Sequence, residues 1–208
     1  MSGSHLINYE NTLNLRMEHF HFHIPGWFTF PKLYTHMVER YDNARFVEVG
    51  AWQGASTAYM GVEIINSGKN IQFDVYDIWG RYSIDGLNTK NPEQYPDNFV
   101  EQMFRKNIEP VKQVVNARKL DSITASKLYK DESLDFIFID GWHSINQVLL
   151  DWEYVNLLSP RGVVAMHDVT YHMGPSNFIK NLDKSLWIVE RSEEHTSELQ
   201  SQSTISYA

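Results

Sequence analysis

Short apolar runs alternate with stretches of helical periodicity along most of the chain. The first run covers residues 46–49 and ends at Gly50, and a helical pattern over 55–65 follows it. A second strand is predicted at 71–78, and after a long polar loop the pattern turns helical again over 97–107. Strands that alternate with helices in this way indicate a parallel sheet whose crossover connections carry the helices.

The same alternation continues in the second half of the chain. Strands are predicted at 111–116, 134–139 and 163–166, and a short helix over 122–129 separates the first two. The run at 134–139 is apolar at all but one position, which is typical of a strand buried on both faces. The remaining predicted elements are a helix that ends near residue 158, a helix over 178–182 and the start of a sixth strand at 185–189.

The N-terminal part of the chain carries one predicted helix and a cluster of aromatic side chains. The helix begins at Pro31, a residue favoured in the first turn, and ends before Asn43. The aromatic cluster has two open interpretations, either a cap over a ligand pocket or packing of the helix against the sheet. Its members are Trp27, Phe28, Phe30, Tyr34 and the stretch 20–23, for which a short strand is the alternative to a cap.

These elements predict an α/β fold with a doubly wound, Rossmann-like, mostly parallel sheet and helices on both faces. Residues 1–43 form a segment and helix that cap the sheet, and 44–190 form the main domain. Residues 191–208 are polar, lack any apolar period and resemble a translated sequencing adapter, so we expect a disordered, non-native tail. The domain is then truncated before its last, antiparallel strand, and the fifth strand is left as an unpaired edge.

Composition and charge exclude several classes of function. The 208 residues include no Cys, which removes disulfides, thiolate nucleophiles and Cys-type zinc sites. A formal net charge of −8 argues against a nucleic-acid partner, because affinity for phosphates depends on Lys and Arg. No apolar run reaches the ~18 residues of a membrane span, and no signal peptide is recognisable. We therefore expect a cytoplasmic protein with a small-molecule partner; the oligomeric state stays open.

A glycine turn joins the first strand to the following helix. Glu48 stands two residues before Gly50, and Gly54 and Ser56 follow at the start of the helix. The spacing G-x-x-x-G departs from the G-x-G-x-x-G that brings backbone onto a dinucleotide pyrophosphate. An acidic residue beside such a turn suits a cationic ligand instead. The alternative is a turn between strand and helix without a ligand.

Acidic and hydroxyl residues follow the second and third strands. Asp77 ends the second strand, where a carboxylate commonly accepts hydrogen bonds from ribose hydroxyls. Asp121 and Ser122 come just after the third strand and are candidates to contact an adenine ring. The alternative is a turn former or helix cap for Asp77 and a cap of the following helix for Ser122.

Two carboxylates and two imidazoles follow the fourth and fifth strands. Asp140 and His143 come after the fourth strand, and His167 and Asp168 come after the fifth. Because the carboxyl ends of neighbouring parallel strands share one edge, we expect these side chains to converge on one cleft. Carboxylates suit Mg²⁺ or another hard divalent ion, and His143 is a candidate general base. The alternative is that the carboxylates cap helices and the histidines line the cleft.

The motifs FVEVGAWQGAST, VYDIW, DFIFIDGWHS and LLSPRGVVAMHDV, in this order, resemble class I S-adenosylmethionine-dependent methyltransferases. The match is best to the subgroup with a D-G-x-H-S signature, which includes small-molecule and sugar O-methyltransferases. The resemblance implies S-adenosylmethionine as cofactor and an acidic residue and glycine turn that bind it, here Glu48, Gly50, Gly54 and Asp77. Two departures from the pattern concern the metal, since Trp142 and His167 stand where relatives carry other polar or acidic residues.

The expected function is methyl transfer from S-adenosylmethionine to a hydroxyl oxygen of a small polar acceptor such as a sugar. His143 and Asp140 are the expected catalytic residues. The cofactor-binding set adds Ser56, Asp121, Ser122 and Asp140 to the residues above, and Asp140, Asp168 and His167 are the candidate ligands of Mg²⁺. The competing hypotheses are a Rossmann-type NAD-dependent oxidoreductase and a non-catalytic cofactor-binding module.

Overall fold

A computed structural model describes residues 16–87, 89–170, 172–183, 187–192 and 202–207, the last two stretches as backbone only. The strands in this part of the chain are β1 (Asn43–Val49), β2 (Asn70–Asp77), β3 (Val115–Lys119), β4 (Leu134–Ile139), β5 (Leu158–Met166), β6 (Trp187–Ser192) and β7 (Gln202–Tyr207). The α-helices are α1 (Pro31–Arg40), α2 (Ala55–Ser67), α3 (Phe99–Asn107), α4 (Ser122–Ser126), α5 (Ile145–Trp152) and α6 (Met173–Asn181).

The strands form one sheet in the order β3-β2-β1-β4-β5-β7-β6. The first five strands of this order are parallel, and β7 is antiparallel to both of its neighbours. The chain starts at β1, winds outward through β2 to β3, and then crosses back to β4 on the other side of β1. The predicted doubly wound α/β fold is confirmed, and the reversal between β1 and β4 places a ligand crevice at their carboxyl ends.

Alternation along the central strands supplies two hydrophobic cores. In β4, Phe136 and Phe138 belong to the core under α1, α2 and α3, whereas Ile137 and Ile139 belong to the core on the opposite face. Buried residues of α5 and α6, among them Val148 and Phe178, complete that second core. A strand whose two faces are both covered is apolar at successive positions, and this explains the run, apolar at every position except Asp135, that was predicted as a buried strand.

The third strand begins later than the sequence predicts. Residues 109–111 form a short 3-10 helix, and β3 runs only from residue 115 to residue 119. Val111 is fully buried against Gly61 of α2, where an added Cβ would approach the valine Cβ to 2.7 Å. The apolar residue at 111, at which the strand was predicted to begin, therefore reflects packing on a helix. Polar residues, which an edge strand tolerates on its exposed side, follow in β3.

The C-terminal segment joins the sheet, contrary to the expectation of a disordered tail. Residues 202–207 form β7 between β5 and β6, and β6 extends to Ser192. The open edge of β5 offers unpaired backbone groups, and Thr204, Ile205 and Tyr207 have side chains that favour strands. The expected unpaired edge at the fifth strand is therefore wrong. The adapter origin of 191–208 stays a prediction, and residues 193–201 and 208 lie outside the described residues.

The N-terminal segment packs along the edge of the sheet that carries the strands' carboxyl ends. Residues 21–23 form a short 3-10 helix instead of the strand considered above. Phe30 is buried against Phe138 of β4, with ring centroids 4.6 Å apart, and this contact fixes the start of α1. Residues 1–15 of the predicted capping segment lie outside the described residues. No helix in the described part of the chain has the length and apolar character needed to cross a membrane.

Candidate active site

A cavity of about 1030 Å³ opens at the carboxyl ends of β1, β2, β3, β4 and β5. The N-terminal segment contributes Pro25 to Phe30 to its wall. Among the described residues of the wall none is Lys or Arg, three are His and five are Asp, so acidic side chains outnumber basic ones and the cavity is anionic. The acidic residues are Asp77, Asp121, Asp140, Asp151 and Asp168.

The glycine turn after β1 forms part of the cavity wall and is tightly packed. Gly50 has a φ of +87°, and a Cβ there would lie 2.2 Å from the backbone oxygen of Asp140. Gly54 has a φ of +88°, and its Cβ would lie 2.9 Å from the ring of Phe104 in α3. Both positions therefore require glycine, Gly50 because the turn rests directly on the end of β4.

Glu48 lies behind this turn and not in the cavity wall. Its side chain is fully buried and accepts hydrogen bonds from Ser56 Oγ and, at 2.6 Å, from Thr57 Oγ1. Tyr34 Oη lies 3.4 Å from the same carboxylate. These contacts tie the first turn of α2 to β1, so we revise Glu48 from a cofactor ligand to a residue that positions the turn. Ser56 does reach the cavity wall, as expected.

The buried carboxyl of Glu48 predicts a pH-dependent stability. Burial raises its pKa from 4.5 to about 7, against the opposing effect of the hydrogen bonds from Ser56 and Thr57. A folded-state pKa above the unfolded value gives a stabilisation that is complete below the unfolded pKa and is lost as the pH rises through the folded one. We expect Glu48→Gln to flatten the fall in unfolding free energy between about pH 5 and pH 8, measured by urea unfolding. Parallel pH profiles for the two proteins would refute this assignment.

Asp77 lies in the cavity wall, and its carboxylate already holds the adjoining loop. Oδ2 accepts hydrogen bonds from the backbone N–H groups of Ala51 and Trp52, both at 2.9 Å, and Oδ1 accepts one from Trp79 at 2.6 Å. Burial raises the pKa of this carboxyl above its ordinary value. A carboxylate has about four acceptor positions, so one remains on Oδ1 for a ribose hydroxyl. Asp77 thus positions the glycine turn and keeps capacity for a ligand.

The two residues after β3 differ in their surroundings. Asp121 is the N-cap of α4, and its two oxygens accept from the backbone N–H and the hydroxyl of Thr124 at 2.8 and 2.7 Å. These hydrogen bonds lower the pKa of the Asp121 carboxyl, and they make Asp121 the helix cap in place of the predicted Ser122. Ser122 is buried in the cavity wall and accepts a hydrogen bond from Gln147 at 3.0 Å.

Asp140, His143, His167 and Asp168 converge at the ends of β4 and β5, as the sequence predicts. His167 Nδ1 lies 3.0 Å from Asp140 Oδ1 and 3.4 Å from Asp168 Oδ2. His143 Nε2 lies 3.1 Å from Asp168 Oδ2 and 3.7 Å from Asp140 Oδ1. Asp168 takes a positive φ of 55°, an uncommon value that places its carboxylate between the two imidazoles. The four side chains form one polar cluster in the cavity wall.

Attraction between the carboxylates and the imidazoles shifts the pKa values in this cluster. Burial by itself would lower the pKa of His167, but the carboxylates of Asp140 and Asp168 raise it to about 10. Burial would likewise raise the pKa of Asp140, but His167 and His143 hold it below its ordinary value. His167 is therefore an imidazolium beside the carboxylate of Asp140 at neutral pH.

Sequence reasoning missed three residues of the cavity. His172 stacks on His143 with ring centroids 4.0 Å apart, and its Nε2 lies 3.7 Å from Asp168 Oδ2. Gln147 and Asp151 lie on α5 and reach the wall near Ser122. The spacing of four residues between Gln147 and Asp151 was the available signal, because it puts the two side chains on one face of α5. The aromatic residues of the N-terminal part were expected either to cap a ligand pocket or to pack against the sheet, and they do both. Trp27 is exposed in the cavity wall, whereas Phe30 is buried in the core.

Comparison with protein families matches residues 47–169 to a family described as a methyltransferase domain. The match begins in β1 and ends just after the Asp140–Asp168 cluster, so it contains the glycine turn and the four polar residues discussed above. A comparison with curated protein sequences finds no significant match.

Several solved structures share the fold. A candidate O-methyltransferase from Klebsiella pneumoniae is 16% identical, with a TM-score of 0.62 over 89% of this chain and 83% of that one. An O-methyltransferase from Bacillus cereus in complex with SAH is 17% identical, with a TM-score of 0.59 over 89% and 85%. An rRNA methylase from Streptococcus thermophilus is 9% identical, with a TM-score of 0.56 over 88% and 99%. At these identities the likeness establishes the fold.

Proposed function

Because this chain belongs to the methyltransferase domain family, we propose that it transfers the methyl group of S-adenosylmethionine to a hydroxyl oxygen of a small, uncharged or cationic acceptor, such as a sugar. The observation that carries the proposal is the charge of the cavity. Five Asp and no Lys or Arg among the described wall residues suit a ligand that carries a sulfonium and an ammonium group. The same wall would repel the pyrophosphate of NAD, which argues against the oxidoreductase hypothesis.

The cavity also has the size for a cofactor together with a small acceptor. Its volume of about 1030 Å³ lies at the upper end of the range for small-molecule sites. Asp77 at the end of β2 offers one free acceptor position to a ribose. When bound, S-adenosylmethionine supplies an electrophilic methyl group. Bringing the acceptor hydroxyl into line with that group accounts for much of the rate acceleration in such a transfer.

His143 is the proposed general base. Its imidazole lies in the cavity wall and takes the proton from the acceptor hydroxyl as the new oxygen–carbon bond forms. Asp168, with Oδ2 3.1 Å from His143 Nε2, stabilises the imidazolium that results. Asp140 keeps its negative charge beside both histidines, so it supports the proton transfer without taking the proton itself.

The cluster also fits a divalent metal ion. Asp140, His167 and Asp168 each offer one ligand atom, and these three atoms all lie within 4.8 Å of one another. A bound ion would displace the proton that His167 carries in its absence. Two carboxylate oxygens with one imidazole nitrogen suit Mn²⁺ and similar ions better than Mg²⁺, which prefers an oxygen shell. A bound divalent ion would polarise the acceptor hydroxyl.

Removal of divalent ions is therefore expected to abolish turnover. A chelator in excess should stop methyl transfer, and Mn²⁺ should restore the rate further than Mg²⁺ does. Asp140→Asn and Asp168→Asn should each mimic chelation, whereas Asp135→Asn, a change at the far end of β4, should not. The measurement is the initial rate with labelled S-adenosylmethionine. Full activity in excess chelator would mean that the carboxylates act without a metal.

The chemical class of the methyl acceptor can be tested with the same labelled S-adenosylmethionine. Purified protein is incubated with methyl-labelled S-adenosylmethionine and either neutral sugars and polyols or ribosomal RNA. The anionic cavity predicts incorporation into the neutral hydroxyl compounds and none into RNA, whose phosphates the wall would repel. Two exposed indoles in the wall, Trp27 and Trp142, offer flat surfaces for the apolar face of a sugar ring. Incorporation into RNA alone would overturn the proposed acceptor class.

A further inference from the structure

A second trio of candidate metal ligands lies beside the first, on the more exposed side of the polar cluster. His143, Asp168 and His172 each offer one ligand atom, and these three atoms lie within 4.8 Å of one another. All three residues line the cavity. Asp168 belongs both to this trio and to the set that it forms with Asp140 and His167. The proposed function gives His143 the task of the base and gives His172 none.

The distances within this trio are close to those that a bound zinc ion requires. His143 Nε2 lies 3.1 Å from Asp168 Oδ2, and His172 Nε2 lies 3.7 Å from the same oxygen. Ligands at about 2.0–2.1 Å from a tetrahedral Zn²⁺ lie about 3.3 Å from one another. His143 Nε2 is buried and, although it is close to Asp168, it has no well-aligned hydrogen-bond partner in the described part of the chain. An ion held between the three side chains would give that nitrogen a bond.

The backbone fixes the positions of the three residues. The N–H of His172 donates to the backbone oxygen of Asp168 at 3.2 Å, which closes the turn after β5. An added Cβ at Gly174 would lie 2.1 Å from the backbone oxygen of His143, so the start of α6 rests directly on the loop after β4. The side chains of His143 and His172 are 31% and 50% exposed. An ion can therefore enter from solvent and keep a water molecule as its fourth ligand.

The ligand types distinguish this trio from the neighbouring set. Two imidazoles with one carboxylate form the trio, whereas two carboxylates with one imidazole form the set of Asp140, His167 and Asp168. Imidazole nitrogen suits Zn²⁺, and the affinity of such sites for Zn²⁺ exceeds their affinity for Mn²⁺. Mg²⁺ prefers oxygen ligands and is disfavoured by both imidazoles. The trio therefore selects Zn²⁺ over the ions that suit the neighbouring set.

We propose that His143, Asp168 and His172 form an inhibitory Zn²⁺ site. The inference rests on the proposed function, in which His143 takes the proton of the acceptor hydroxyl. A neutral imidazole has a single nitrogen lone pair, and a metal ion binds histidine through that lone pair. Zn²⁺ bound to His143 leaves no lone pair to accept the proton, and it also occupies the carboxylate of Asp168 that would stabilise the imidazolium. Methyl transfer then stops until the ion leaves.

The first test is calorimetric titration of the cofactor-free protein with Zn²⁺. His172→Gln is expected to weaken the binding of Zn²⁺ by at least about 100-fold, because even the loss of a contact that only supports a metal ligand costs about 10–100-fold. His36→Gln, which changes an exposed histidine on α1, should keep the wild-type affinity. Co²⁺ serves as a spectroscopic probe of the same site. Its visible absorption should be that of a tetrahedral site in the wild type and should be lost in His172→Gln.

The second test measures methyl transfer with Mn²⁺ present and Zn²⁺ added, each protein against its own zinc-free rate. Wild-type protein should lose most of its rate, whereas His172→Gln should keep most of its own at the same Zn²⁺ concentration. Equal inhibition of the two would overturn the inference, because Zn²⁺ would then act by displacing Mn²⁺ from the neighbouring set. Absence of saturable Zn²⁺ binding to the wild type would overturn it without any variant. Zn²⁺ binding that depends on His172, in a protein without methyl transfer, would uphold the metal site and refute the proposed function.

Discussion

Replacement of His143 by Gln is expected to lower the rate of methyl transfer by about 10²–10⁴-fold, the usual contribution of a positioned general base. The glutamine side chain keeps hydrogen-bonding capacity but cannot accept the proton that leaves the acceptor hydroxyl. Affinity for S-adenosylmethionine should stay nearly unchanged, because removal of the base affects the transition state and not the bound cofactor. Initial rates with labelled cofactor and calorimetric titration measure the two quantities separately.

The control for this change is a histidine away from the cavity. His36 is exposed on α1, and His36→Gln should leave both rate and affinity as in the wild type. A rise in pH should not rescue His143→Gln if the imidazole itself takes the proton. Full activity of His143→Gln would return His143 to the alternative in which it only lines the cavity, and His172, stacked on it at 4.0 Å, would be the next candidate.

The second large effect is expected at the glycine turn. Gly50→Ala puts a Cβ within 2.2 Å of the Asp140 backbone oxygen at a φ of +87°, so the turn or the end of β4 must move. Gly68 also has a positive φ, of 65°, but no atom lies within 4 Å of its Cβ position. Gly68→Ala should therefore cost only the backbone strain of about 1–2 kcal/mol. Gly50→Ala should cost several kcal/mol more, a large part of the ~5–15 kcal/mol that stabilises a domain.

Urea unfolding of the two variants separates strain from steric overlap. Displacement of the Asp140 backbone should also shift the whole polar cluster, so Gly50→Ala is expected to lose cofactor binding even at temperatures where it stays folded. Equal destabilisation by the two substitutions, with cofactor affinity retained, would show that the turn can relax away from β4 and that its packing is not what positions Asp140.

The sequence predicted the elements best where both faces of a strand are buried. The run at 134–139 is β4, with the limits that were predicted. Its backbone N–H and C=O groups are buried, and the neighbouring strands of a sheet supply the hydrogen-bond partners that such groups need. The limits of β3 were wrong because apolar Val111 packs on Gly61 of α2, a contact between residues far apart in the chain. Periodicity also gave no sign that residues 202–207 would occupy the place between β5 and β6, since that pairing depends on the open edge of β5.

The candidate site was predicted in position but only partly in function. Motif residues at strand ends had to converge, because parallel strands place their carboxyl ends together, and Asp140, His143, His167 and Asp168 did so. The sequence did not show which groups form hydrogen bonds with the buried carboxylates. The carboxylate of Glu48 accepts hydrogen bonds from Ser56 and Thr57, which lie beyond the glycine turn in the first turn of α2. Asp151 lies in the cavity wall at the end of α5, with no motif around it.

The most direct test of the account is a pair of calorimetric titrations of the wild-type protein, one with S-adenosylmethionine and one with NAD. The anionic cavity predicts saturable binding of S-adenosylmethionine with about one site per chain and no detectable heat from NAD. Unlabelled S-adenosylhomocysteine should compete with the first ligand, since the two share every part except the transferred methyl group. Tight binding of NAD together with no binding of S-adenosylmethionine would contradict the proposed function.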